Sequence, residues 1–143
     1  MSRYSASTRT AAGSTTTPLI GIQAIAGVAL KIREIGVFNT TATAVALKVS
    51  RTTTAGTATG LTETKLEPDS AAASGTAFVT YTGDPTLGDE VCRTILGAAP
   101  GAGVIWTFDA EPLRVPAGTA NGLVVVVSTG TGQICDAYIV WDE

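Results

Sequence analysis

The sequence predicts an all-β protein: a jelly-roll-like β-sandwich of eight to ten short strands, with an extended N-terminal arm. Three observations predict it. Runs of Val, Ile, Leu and Thr are short and are broken by Gly, Pro, Asn or Asp roughly every 8–15 residues. Within most runs apolar and polar residues alternate, which is the period of a half-buried strand. No stretch carries a helix of substance. The chain has 143 residues, enough for one domain with a real core.

Residues 1–17 come first. They are Ser, Thr, Ala and Arg, with Met1 and Tyr4 as the only large apolar side chains. Such a composition cannot bury itself. It predicts an arm separate from a domain at 18–143, held by a neighbouring subunit. In that arrangement Arg3 and Arg9 pair with carboxylates and Tyr4 inserts as the aromatic anchor. The alternative is an arm folded along its own domain.

Strands follow from Pro18. PLIGIQAIAG and VALKIREIGVF are rich in branched apolar residues. In the second, Val28, Leu30 and Ile32 point one way, and after Arg33-Glu34 the apolar set shifts to Ile35 and Val37. A one-residue phase change inside a strand predicts a β-bulge. Residues 39–43 form a turn. AVALKVSR alternates, with Val45, Leu47 and Val49 on one face, and it echoes VALKIRE as a neighbouring strand would. Residues 52–76 are Thr/Ala/Gly-rich and only weakly apolar. AFVTYTG is a strand, 83–88 a loop, and VCRTIL a strand in view of its β-branched Thr94 and Ile95. GVIWTFD places Val104, Trp106 and Phe108 on one face, predicted to be core between the sheets. PLRVPAGTANG holds a short edge piece. LVVVVS reads as buried on both sides. TGTGQ is predicted to close a hairpin onto ICDAYIVWDE, where Cys135, Ala137, Ile139 and Trp141 alternate toward the core. The order Cys92, Trp106, Cys135 suggests an immunoglobulin-type sandwich, but position 133 is Gln where a tyrosine corner needs Tyr.

Composition narrows the function. The chain has no histidine, which removes the commonest general base and metal ligand. Only 15% of residues are charged, against about 25% in an ordinary soluble domain, and mean hydropathy is +0.31. A net charge of −3 opposes nucleic-acid binding. The apolar stretch 18–30 is too short to span a membrane and contains Gln23. The start has no apolar core behind its arginines, so the chain reads as made in the cytoplasm, with Cys92 and Cys135 reduced.

Apparent sites have plainer readings. GTGTGQ leads into a strand, not a helix, so it is a turn and not a phosphate loop. Asp84, Asp89 and Glu90 crowd one loop that could take a cation, though solvated acids fit better. Asp109 and Glu111 lack the setting of a glycosidase pair. No catalytic, cofactor or metal site is predicted. What remains is a low-charge surface of Thr, Ala, Gly and Val, which suits a subunit of an assembly, a homo-oligomeric dimer or trimer.

The layout resembles a group of small tailed-phage virion proteins. The resemblance rests on the Ser/Thr/Arg-rich start, "EIGVF" at Glu34–Phe38, "GAGVIWTF" at Gly101–Phe108, "VPAGTANGLVV" at Val115–Val125 and "DAYIVWDE" at Asp136–Glu143. It implies a jelly-roll-like capsid decoration or cement protein in the virion. Such a protein would bind the major capsid protein on the outside of the head, without enzymatic activity or cofactor. Segment 52–76 matches no part of that pattern. Another virion part (tail, collar or fibre base) and a free carbohydrate- or protein-binding β-module are the alternatives.

Overall fold

A computed structural model describes residues 1–143. The chain forms twelve strands and no helix, in two antiparallel sheets. The first sheet holds β1 (Arg3–Arg9), β3 (Leu30–Asn39), β6 (Thr64–Lys65), β9 (Gly103–Thr107), β10 (Leu113–Val115) and β12 (Cys135–Asp142). The second holds β2 (Ile20–Gln23), β4 (Val45–Thr52), β5 (Thr57–Gly60), β7 (Thr76–Gly83), β8 (Leu87–Leu96) and β11 (Gly122–Thr129).

The pairing is nested. β1 lies beside β12, β2 beside β11, β3 beside β9, and β4 beside β8. A long antiparallel ribbon rolled into two sheets has this pattern, which is the jelly roll. Contacts of β12 with β3 and of β11 with β4 close each sheet. The immunoglobulin alternative is thereby set aside. The strand count exceeds the expected eight to ten because residues 52–76 add β5 and β6. The expected strand β7 extends the second sheet beyond β2 and β5 lies outside it, while β6 extends the first sheet beyond β1. The Thr/Ala/Gly-rich segment therefore supplies an edge strand to each sheet on one flank of the sandwich.

The core lies between the sheets as a cluster of 23 buried residues. β12 contributes Cys135, Ala137, Ile139 and Trp141, as its alternation predicts. β11 is buried on both faces: Leu123, Val125 and Val127 enter the core, and Val124 and Val126 are covered on the outside. The phase change in β3 is real. Val140 lies opposite Glu34 and Trp141 opposite Ile32, so Arg33 is the extra residue. The bulge lets Ile32 and Ile35 both face inward and turns Arg33 toward Asp142.

Four expectations fail. Residues 1–17 are not a separate arm. β1 runs between β12 and β6, fully registered with β12 from Arg3 opposite Asp142 to Arg9 opposite Asp136. Residues beyond it cross to the second sheet, tied by Thr10 N donating to the Cys135 carbonyl (2.7 Å) and Leu19 N to the Val125 carbonyl (2.8 Å). Small side chains suffice because Tyr4 and Ala6 are the inward positions of β1 and both are buried. Nor is residue 128–133 a hairpin, since β11 and β12 belong to different sheets and the loop bridges them. Likewise β3 and β4, with their echoing sequences, fall in opposite sheets. Finally, Val104, Trp106 and Phe108 are only half-buried and pack against the margin of the core, whereas Ile139 and Trp141 are fully inside it. β9 is an edge strand, so one side of each of its side chains meets solvent.

Candidate functional site

The residues expected to reach a neighbour, Arg3, Tyr4 and Arg9, find their partners within the chain. Tyr4 is 3% exposed. Its ring centroid lies 5.7 Å from that of Trp141, and its hydroxyl donates to the Ala71 carbonyl at 3.0 Å. Arg9 meets Asp136 through Nε at 2.9 Å and Nη2 at 3.2 Å, on the surface. Arg3 Nε donates to Asp142 Oδ1 at 2.7 Å, while Arg33 Nε donates to Oδ2 of the same carboxylate at 2.6 Å. A sequence signal for this pairing existed: Arg3 and Arg9 have the same spacing as Asp136 and Asp142, as an antiparallel register requires.

Asp142 is the electrostatic hub. Its side chain is 2% exposed. Burial alone would raise its carboxyl, but the hydrogen bonds and charges of Arg3 and Arg33 overcome that and hold it below the usual carboxylate range. Beside it, the Glu143 carboxylate accepts from Ser74 N (2.8 Å), Gly75 N (2.8 Å) and Trp141 Nε1 (3.1 Å). The end of β12 thus anchors the loop that follows β6. These contacts are structural ties, arranged around backbone and core.

The other singled-out groups separate in space. Asp84 accepts from Thr17 Oγ1 at 2.7 Å, and Glu90 pairs with Arg93 at 2.7 Å. No group of three His, Cys, Asp or Glu side chains comes together as a metal site would require. Asn39 is buried; it donates to the Thr43 and Gly97 carbonyls and accepts from Thr41 N, which makes 39–43 an Asx-type turn. Both cysteines are free, and burial pushes the Cys135 thiol up to about 11. Burial, with the Glu34 carboxylate next, raises the Tyr138 phenol to about 12; its hydroxyl hydrogen-bonds Glu34. Neither group is tuned toward reactivity at neutral pH.

The outer faces are built for flatness. The Tyr138 ring lies over Gly36, and the Phe38 ring over Gly103, so a Cβ at either glycine would collide with the aromatic. These glycine–aromatic pairs let a ring lie down on the sheet. The largest apolar exposures within strands fall on one flank, where both sheets end in touching strands, β8 and β9. There Ile95 is 74% exposed and Ile105 is 50% exposed.

No protein-family model matches the chain, and no curated protein is similar to it. Among solved structures, it is similar to a chain from the 2.6 Å structure of T=1 particles derived from infectious bursal virus, with 16% identity and a TM-score of 0.22. The match takes in 99% of this chain and 38% of that one, a likeness too slight to place the two in one fold.

Proposed function

We propose that this protein is a structural virion subunit: a decoration or cement protein bound to the outside of a phage head. The major capsid protein is its partner, further copies of itself are neighbours, and it has no enzymatic role and no cofactor. The observation that carries the reading is the β8–β9 flank, where two large isoleucines stand in solvent at the unpaired edges of both sheets. Ile95 and Ile105 face outward from their respective sheets, in a chain with only 15% charged residues, and exposed apolar side chains of this kind are available to interfaces. Jelly rolls serve in viral shells and in lectins alike, so the fold supports the reading by analogy only.

The deciding experiment is a copy count on purified particles by quantitative gel. Hundreds of copies per particle place the chain on the head; tens or fewer place it in a tail, collar or fibre base. Absence from purified particles overturns the reading. Ile95→Lys with Ile105→Lys should leave unfolding stability within about 0.5 kcal/mol, as exposed substitutions do, and should weaken attachment to bare shells by about tenfold or more.

A further inference from the structure

The outer face of the first sheet carries two aromatic side chains beside an ion pair. In β12, Cys135, Ala137 and Ile139 point into the core, so Asp136 and Tyr138 face out. In β1, Tyr4 and Ala6 point inward, so Ser7 and Arg9 face out. In β3, Ile35 and Val37 point inward, so Phe38 faces out. The registers bring these five together. Ser7 stands directly opposite Tyr138, Arg9 opposite Asp136, and Asp136 in turn opposite Phe38. Directly opposed residues on one face have Cβ atoms about 4.5–5.5 Å apart, so their side chains reach the same ligand.

Ser7, Phe38, Asp136 and Tyr138 line a shallow depression of about 270 Å³. That is below the roughly 300–1,000 Å³ of pockets that enclose drug-sized ligands, and it suits one small ring. The depression is open because β1 offers only a serine beside Tyr138. Its aromatic side is set in advance. The Tyr138 ring lies over Gly36 and the Phe38 ring over Gly103, and the Tyr138 hydroxyl is tied to Glu34. Both residues are half-buried, so part of each ring stays in solvent. A ligand that rests on them orders few side chains, which keeps the cost of binding low.

The polar side is charged but balanced. Arg9 Nε and Nη2 donate to the two Asp136 oxygens at 2.9 and 3.2 Å. A carboxylate has about four acceptor positions and a guanidinium five N–H donors, so both groups keep capacity for a ligand. Asp136 opposes an anion there and Arg9 opposes a cation. A purely apolar ligand would leave both without hydrogen bonds to it.

We infer that this depression binds one neutral pyranose ring of a carbohydrate. A pyranose has C–H groups across a face and hydroxyls around its rim. The C–H face rests on Tyr138 and Phe38, whose rings are electron-rich on their faces. The rim hydroxyls donate to Asp136 and accept from Arg9, with Ser7 Oγ as the third polar contact. The inference does not rest on the role proposed above, and its test needs no particle.

The test is an NMR titration of the intact protein, following the Ser7, Asp136 and Tyr138 amides and the Phe38 ring protons. The probes are methyl β-D-glucopyranoside, methyl β-D-galactopyranoside, lactose and sodium glucuronate, with glycerol as the reference for hydroxyls without a ring. Saturable shifts with a neutral pyranoside, weakened about tenfold or more in Phe38→Leu and in Ser7→Tyr, support the site. Tighter binding of lactose than of either methyl glycoside marks a sugar chain along the face, and equal binding marks a single terminal residue. Ser7→Tyr fills the depression from an exposed strand position that favours aromatic residues, so the fold is kept. Unchanged amide shifts in the second sheet verify that. No saturation by about 50 mM sugar, shifts that persist in both variants, equal shifts with glycerol, or tighter binding of glucuronate than of the neutral sugars would each overturn the inference.

Discussion

β12 and β9 look alike as sequences and differ in the molecule. Both alternate, both carry a tryptophan, and both lie in the same sheet against β3. β12 lies between β3 and β1, and its Trp141 is fully buried. β9 lies at the margin, and its Trp106 is half-buried. Alternation reports which face a side chain takes. It does not report how many strands flank it, and a side chain on an edge strand keeps one side open however apolar its face. The two regions differ in kind: the β1–β12 pair holds the sandwich together, and the β8–β9 flank leaves Ile95 and Ile105 in solvent.

Deleting residues 2–9 tests that division most severely. The deletion takes away β1, uncovers the edge of β12, removes the buried Tyr4 and Ala6 and leaves Asp142 without Arg3. A domain's whole stability is about 5–15 kcal/mol, and the loss of an interior strand exceeds what such a domain can spare. The truncated chain should show no cooperative unfolding transition in urea at 25 °C. A truncated chain with the melting temperature of the intact one would return residues 1–17 to the status of an independent arm.

The tryptophans give the second comparison. Trp141→Ala should cost about 3–5 kcal/mol, since it empties a fully enclosed site and loses the tilted ring contact with Tyr4. Trp106→Ala should cost about 1–2 kcal/mol, because only the buried part of its surface is returned to water. Urea denaturation of both variants measures the gap. Equal losses would mean that the β9 margin is as enclosed as the centre of the sheet.

Parts of this architecture were legible in the residues, for physical reasons that differ by strand. The alternation of β12 and the phase change at Arg33 are local, and local periodicity exposed both. β1 was missed because composition was weighed above pattern: its inward positions are Tyr4 and Ala6, and a strand already flanked on both sides needs no large side chains to be held. The matched spacing of two arginines and two aspartates carried the register, but such a signal is readable only once the two ends are suspected of being neighbours. The isoleucines of the β8–β9 flank were not legible, since nothing local marks Ile95 or Ile105 as an edge residue.

The smallest effect concerns Asp142, and its pH dependence separates charge from packing at the centre of the β1–β12 region. The folded carboxyl titrates below its ordinary value of about 3.9 because Arg3 and Arg33 stabilise the charged form. A group depressed in this way contributes stability that is complete above the unfolded value and is lost as pH falls toward and through the folded one. Asp142→Asn keeps the shape and removes the charge, so at pH 7 it should cost about 1.5 kcal/mol, at the low end for charge-assisted hydrogen bonds because Arg3 remains half exposed. The gap between wild type and variant should hold from pH 7 to about 5 and close as pH falls below about 4. Chemical denaturation at a series of pH values measures it. A gap that stays constant down to pH 2 would mean that Asp142 acts through shape alone, and the two arginines would then be bystanders to the joining of the chain's two ends.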